Sequence, residues 1–407
     1  EIPTDVLRTT VPPQLVLGEW LEAKPPRRLP PDPDAVAQAV DVFWGAKRPV
    51  VITGRGARGC SAELVRLLDA TGALYLDTQE SRGLVPADHP STTAAVRAAA
   101  MNEADVVLLI GRKLDYQVAY GSPAVFPDAR FIRIADNPGE LIDNRRGRPE
   151  LLASPDLALA AMVDAAGNRE SALDKAWADG LRQRHRERIA KAARAEKPAA
   201  GDDGKVHPRA IFDAIADVAA PDYIGIADGG DLLSFARTGL AATIYMDAGA
   251  FGCLGVGVPF AVAAALAYPD RQVISVNGDG AFGINAMEID TAVRHGAKAV
   301  FIVSNNAAWN IERLDQEMNY GGRVVGTTLR HSDYAGMARA LGLHGERVET
   351  ADDLVPALQR ALQNAPALID VVTSQTVISS DAQKGLGFVP DYQALTAWDE
   401  AEQKRRS

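Results

Sequence analysis

Short, β-branched apolar runs recur along this chain, separated by stretches whose apolar positions fall three or four apart. The runs at 48–54, 73–77, 105–111 and 130–135 predict buried strands, and so do those at 223–228, 272–276, 299–303 and 367–373. Between them, helical spacing predicts helices over 34–44, 284–295, 333–341 and 351–363, and an apolar helix that ends at Tyr268. Strands that alternate with helices in this way form parallel sheets covered on both faces, so the fold class is α/β. The pattern divides the chain into a proline-rich segment (1–33), a Rossmann-like domain (34–167), a charged helical linker (168–204), a second doubly wound domain (205–374) and a C-terminal extension (375–407).

Two motifs stand at predicted strand ends. Asn277-Gly278-Asp279-Gly280-Ala281-Phe282-Gly283 follows the run at 272–276, and Ser304-Asn305-Asn306-Ala307-Ala308-Trp309-Asn310-Ile311-Glu312 follows that at 299–303. A right-handed crossover between two parallel strands brings both motifs to the same edge of the sheet. There Asp279 offers an anionic oxygen, Asn306 a neutral one, and the turn after Asn306 exposes carbonyls, with that of Ala308 the one expected to point inward. Oxygen ligands of this kind suit Mg²⁺ or Ca²⁺ and not zinc. Glycines 278, 280 and 283 allow close approach of a ligand, and the following helix N-terminus favours an anion, so a metal-bridged diphosphate fits. For Gly-Asp-Gly taken alone, a tight turn in an ordinary doubly wound domain explains the residues as well.

Composition narrows the field. The chain has 407 residues, 47% of them apolar, with 35 Gly, 24 Pro and a formal net charge of −10, which argues against nucleic acid as a partner. No run approaches the ~20 consecutive apolar residues of a membrane span. Two cysteines, Cys60 and Cys253, suggest neither a disulfide framework nor a metal site, and the cytoplasm is the default location. Glu1-Ile2-Pro3-Thr4-Asp5-Val6-Leu7 has no initiator Met and no signal-peptide pattern, and reads as the last strand of a preceding domain.

The paired motifs, with the 24 positions 281–304 between Gly280 and Asn305, closely resemble those of thiamine-diphosphate (ThDP) enzymes. The resemblance implies Mg²⁺ held by Asp279, Asn306 and the Ala308 carbonyl. It also implies ThDP contacts from Gly230 and Asp231 in Gly229-Gly230-Asp231, and from Gly278, Gly280, Ala281, Asn306, Trp309 and Ile311. Leu254 matches the aliphatic residue that wedges the cofactor into a V, and Gly252 the carbonyl that accepts from its aminopyrimidine. Helix capping alone is the other reading of Asp231.

Ala227-Asp228-Gly229-Gly230-Asp231, Trp309 with Glu312, and the C-terminal extension resemble the branch of 2-hydroxyacyl-CoA lyases and oxalyl-CoA decarboxylases, and most of all the actinobacterial 2-hydroxyisobutyryl-CoA lyases. That branch cleaves a 2-hydroxyacyl-CoA thioester to formyl-CoA and a ketone or aldehyde, here acetone, with Glu312 moving the proton and the tail closing over CoA. A Glu312–Arg313 pair is the alternative for that residue. Oxalyl-CoA decarboxylase or acetohydroxyacid-synthase activity is the alternative reaction, and a non-catalytic nucleotide-binding subunit the alternative of another class.

In relatives the central domain binds ADP or FAD. Gly54, Arg55, Arg112 and Asp136 match such a site loosely, and a nucleotide-free scaffold is equally compatible with them. The arginine-rich stretch 182–188 reads either as a patch for CoA phosphates or as a solvated helix. The family completes its site with a carboxylate from the pyrimidine-binding domain of another subunit. No segment here resembles that domain, so a homodimer or homotetramer is expected, completed by that domain from another chain or a missing segment.

Overall fold

The computed structural model describes residues 1–15, 27–78, 81–194, 198–379 and 382–384. In the central domain five parallel strands, β1 (Pro49–Thr53), β2 (Leu74–Leu76), β3 (Val106–Ile110), β4 (Arg130–Ala135) and β5 (Glu150–Leu152), lie in the order β2-β1-β3-β4-β5. The C-terminal domain has six: β6 (Ile224–Asp228), β7 (Ile244–Met246), β8 (Val273–Gly278), β9 (Ala299–Asn305), β10 (His344–Val348) and β11 (Ala367–Val372). Their order is β10-β11-β9-β8-β6-β7, again all parallel. Apolar clusters cover both faces of each sheet, as double winding requires.

The expected α/β class and two-sheet organisation are therefore found, and the buried strands are those that the apolar runs predicted. The short strands β5, β7 and β10 were not predicted. All three lie at sheet edges, and β10, His344-Gly345-Glu346-Arg347-Val348, is mostly half-exposed, so neither a continuous apolar run nor strict alternation marks it.

Two expectations change. Thr4–Leu7 forms a single helical turn with no buried residue, not a strand. The linker helix α1 (Lys175–Arg194) packs on the central domain. Ala178 and Leu181 are buried there, and Arg182 Nη2 and Arg188 Nη1 donate to the Gly72 and Ala95 carbonyls. At least part of its basic character is thus spent on backbone oxygens. Among the described residues no helix is long and apolar enough to cross a membrane.

Strand order reverses between β1 and β3 in one sheet and between β6 and β8 in the other, and ligands of open α/β sheets bind at such points. The second reversal is braced from below. Asp228, 1% exposed at the end of β6, accepts the N–H groups of Gly255 and Gly257 at 2.9 and 2.8 Å. Asn285 Nδ2 donates to the Gly255 carbonyl at 2.8 Å. These bonds fix the loop carrying Leu254 into α2 (Gly257–Ala267). A methyl group at Gly257 would lie 1.9 Å from Asn277 Oδ1 and 2.8 Å from Asp228 Cβ, so the helix and the strand ends approach only because Cβ is absent. Gly257→Ala is expected to destabilise the fold by about 1–3 kcal/mol, measured by urea denaturation; an unchanged midpoint would show that the helix moves freely.

Candidate functional site

At the C-terminal ends of β6, β8 and β9 the chain makes three turns that line one small cavity. Gly229 and Gly230 lead into α3 (Asp231–Gly239), Gly278 into α4 (Asp279–Ile284), and the loop after Asn305 into α5 (Asn310–Asn319). Lining the cavity are Gly230, Asp231, Leu254, Gly278, Asp279, Gly280, Ala281, Asn306, Ala308, Trp309 and Glu312. Nearly every predicted cofactor and metal residue is thus brought together. Gly252 stands outside, exposed, in the left-handed conformation (φ 62°) on the loop before Leu254. The cavity holds about 30 Å³, room for an ion; a larger molecule would lie across its mouth.

Asp279 is 1% exposed. Its Oδ1 accepts the Gly280 N–H at 2.9 Å, whereas its Oδ2 is buried without a hydrogen-bond partner. Burial pushes its pKa up to about 7. A buried carboxylate oxygen without a partner is costly unless a cation or proton joins it.

The loop opposite supplies what a hard cation needs. Ala307 adopts φ 58°, left-handed for a non-glycine residue, and Ala308 N donates to Asn306 Oδ1 at 3.1 Å. Ala308 forms an antiparallel bridge with Thr328 in which its neighbours make the bonds: Leu329 N donates to Ala307 O and Trp309 N to Thr327 O. The carbonyl of Ala308 therefore points away from that segment, toward the cavity side. Among the described residues no three His, Cys, Asp or Glu side chains gather as a metal cluster. The donors are instead one carboxylate, one amide and one backbone carbonyl, a set that fits Mg²⁺.

The glycines divide their work. A methyl at Gly280 would meet the Trp309 indole at 2.8 Å and one at Gly230 would meet Ile311 at 2.3 Å, so these two admit neighbouring side chains. Gly283 has open space around it, and Gly278 no atom closer than 3.9 Å, leaving the helix entry clear for a ligand. Asp231 differs from its expected role. Its Oδ2 accepts from Asn310 Nδ2 at 3.1 Å and its Oδ1 from Ser379 N at 2.9 Å, so the carboxylate ties the helix starts to the C-terminal segment. An ionised carboxylate has no hydrogen to donate, so Asp231 would serve a phosphate only through its backbone.

Glu312 is half-buried on the same cavity, and burial, with a contribution from nearby Asp315, holds it above the ordinary carboxylate range. It is not paired with Arg313, whose guanidinium bonds to Asn310 Oδ1, Glu317 and the Gln375 carbonyl.

In the central domain, Gly54 N and Gly56 N donate to the Ile110 and Gly111 carbonyls, so two amides that would cradle a phosphate are already used. Arg112 is 6% exposed and forms a two-pronged pair with Asp115 at 2.6 and 2.8 Å, while Arg55 and Asp136 lie exposed. This geometry gives the ADP expectation no support. A wider cleft of about 510 Å³ lies elsewhere, between Arg58 and Arg82 of the central domain and Tyr245, Phe260 and Tyr268 of the C-terminal one, and contains none of the predicted residues. The sequence reading expected the C-terminal extension to close over CoA but missed that Gln375 and Ser379 touch the site's own turns, a contact with no spacing signal to reveal it.

Residues 36–162 match the thiamine pyrophosphate enzyme central domain, and residues 233–371 match the thiamine pyrophosphate enzyme C-terminal TPP binding domain. Among curated relatives, the chain is 33% identical over 355 residues to a probable acetolactate synthase of Mycobacterium bovis, covering 85% of this chain and 63% of the relative. It is 30% identical over 371 residues to a 2-hydroxyacyl-CoA lyase of Oryza sativa subsp. japonica, covering 86% and 63%. To 2-hydroxyacyl-CoA lyase 1 of Mus musculus it is 29% identical over 364 residues, covering 83% and 61%. The chain thus spans a little over three fifths of the length of these relatives.

Because folding raises the Asp279 pKa, its contribution to stability is fully present below the ordinary carboxylate value and is lost as pH rises through about 7. Asp279→Asn, which removes the buried charge, is therefore expected to raise the melting temperature of the metal-free chain at pH 8 and to lose that advantage toward pH 4. Equal effects at both pH values would show that Asp279 is not held this way.

Proposed function

From the premise that this chain belongs to the thiamine pyrophosphate enzymes, we propose that it forms the cofactor-holding part of a 2-hydroxyacyl-CoA lyase. The reaction is cleavage of a 2-hydroxyacyl-CoA, with 2-hydroxyisobutyryl-CoA the favoured substrate, to formyl-CoA and acetone. Thiamine diphosphate supplies the electron sink for the breaking carbon–carbon bond. Asp279, Asn306 and the Ala308 carbonyl would hold Mg²⁺ against its diphosphate, the entry of α4 would receive the phosphate charge, and Leu254 would support the ring system.

One observation carries the lyase reading: the Glu312 carboxyl faces the same cavity as Asp279, half-buried and with no side-chain partner among the bonds seen there. Cleavage of a 2-hydroxyacyl-CoA needs a base for the 2-hydroxyl proton, and a carboxylate kept from water is suited to take it and return it. Pyruvate, by contrast, loses CO₂ with no hydroxyl proton to remove first. Trp309, stacked over Gly280 beside Glu312, excludes water from that corner. Small side chains at Ala307 and Ala308 leave room for the two methyl groups of the acyl part.

Phe251, Ile284 and Met287, 92%, 50% and 62% exposed, flank the Leu254 loop, which supports a homo-oligomer in which a pyrimidine-binding domain packs there and completes the site. The cytoplasm is the proposed location. The identity to a probable acetolactate synthase supports a second reading, condensation of pyruvate. The lid proposed for the tail falls mostly on residues 385–407, outside the described residues.

Product analysis by mass spectrometry from 2-hydroxyisobutyryl-CoA, oxalyl-CoA and pyruvate separates the readings; formyl-CoA with acetone from the first is expected, and turnover of pyruvate alone would replace the lyase by the synthase. Glu312→Gln is expected to lower cleavage by about 10²–10⁴-fold with thiamine diphosphate affinity unchanged, and unaltered turnover would remove Glu312 from the reaction.

A further inference from the structure

Directly beyond strand β11, residues 374–379 stay on the domain. Ser374 is fully buried and Ser379 is 3% exposed, and the segment 374–379 reaches two of the three site turns, those after β9 and β6. Gln375 is its centre. Its side-chain Nε2 donates to the Asn306 carbonyl at 3.1 Å and more weakly to the Ala307 carbonyl at 3.4 Å. Its own backbone is held at both ends: the N–H donates to Asp203 Oδ2 at 3.2 Å, and the carbonyl accepts from Arg313 Nη2 at 3.3 Å. Four residues on, Ser379 N is bonded to Asp231 beside the glycine turn after β6.

The loop that Gln375 grips is one that does not hold itself. Ala307 at φ 58° costs on the order of 1–2 kcal/mol relative to ordinary backbone. The bridge to residues 327–329 fixes only one side of the turn. On the other side, the Asn306 carbonyl accepts from the Gln375 amide, which also reaches, more weakly, the Ala307 carbonyl already bonded to Leu329 N. With the Asn306 carbonyl turned toward Gln375 and the Ala307 carbonyl shared between Leu329 and Gln375, the Asn306 side chain and the Ala308 carbonyl are left to the cavity that Asp279 also lines. We infer that Gln375 is a positioning residue for the metal-binding loop, and that the segment 374–379 is part of the metal site. This rests on the thiamine diphosphate reading given above. Glutamine suits the task because its amide nitrogen has two hydrogens for two carbonyls; an ionised glutamate of the same shape has none and would repel both.

The test is a titration of the full chain with Mn²⁺, in the presence of thiamine diphosphate or of inorganic pyrophosphate, reading free metal by electron paramagnetic resonance. Gln375→Glu and Gln375→Leu are expected to weaken Mn²⁺ binding about tenfold or more while the melting temperature without metal stays within a degree or two. A wild type that binds no Mn²⁺ with either anion overturns the cofactor reading and this inference with it. A wild type that binds, with variants that bind equally, overturns this inference alone. If both variants fail to fold, the wild type decides by hydrogen exchange. Mn²⁺ with thiamine diphosphate is expected to slow exchange at 306–309 and at 374–379 together, and slowing confined to 306–309 overturns the role of Gln375.

Discussion

A carboxylate oxygen buried without a partner is the constraint around which the C-terminal domain is built. Asp279 sits at the end of a central strand, nearly sealed from solvent, with Oδ1 bonded to the Gly280 amide, Oδ2 lacking a hydrogen-bond partner, and the Ala307 and Ala308 amides nearby. A domain optimised only for stability would replace it, since desolvating that charge is costly. Its neighbours in the cavity include the Asn306 side chain and the Ala308 carbonyl, an arrangement that would suit a small divalent cation. Much of the surrounding architecture holds these oxygens in place: Asp228 and Asn285 brace the Leu254 loop, Trp309 fills the space over Gly280, and Gln375 draws the opposing carbonyls aside.

The two sheets make an instructive pair because each has a strand-order reversal and the site cavity lies at that of the C-terminal sheet. In the central domain the reversal is closed by backbone contact. A methyl at Gly56 would lie 2.8 Å from the Gly111 Cα, and Arg112 is folded back on Asp115. In the C-terminal domain the corresponding glycines, Gly229 and Gly278, stay farther apart, with a methyl at Gly278 still 3.9 Å from the Gly229 Cα. That separation leaves a cavity into which Asp279, Asn306 and Ala308 converge. The same topology therefore leaves little clearance beside the glycines of one half and more beside those of the other, where the candidate site lies.

Glycine patterns in the sequence could not distinguish these cases. Gly54-Arg55-Gly56-Ala57-Arg58-Gly59 and Asn277-Gly278-Asp279-Gly280 both announce tight turns at strand ends. Whether the missing Cβ makes way for a ligand, as at Gly278, or for a neighbour's side chain, as at Gly230 and Gly280, depends on what packs against the turn from elsewhere in the chain. Asp231 shows the same limit. Its place in a glycine turn suggested a phosphate contact, and only the folded chain reveals that both its oxygens are taken, one by a residue 148 positions away.

What the sequence determined by itself was everything governed by local periodicity and residue chemistry. The long buried strands follow from continuous β-branched runs, the two-domain α/β organisation from their alternation with helices, and the oxygen donors Asp279 and Asn306 from a carboxylate and an amide at the ends of neighbouring strands. Tertiary structure alone decided the matters that depend on distant segments meeting. The edge strands β5, β7 and β10 have too little burial to leave a pattern. The direction of the Ala308 carbonyl is set by a bridge to Thr328. Gln375 reaches the site because the chain, on leaving β11, turns back across it, and no spacing rule encodes a contact between a side chain and carbonyls nearly seventy residues earlier in the sequence.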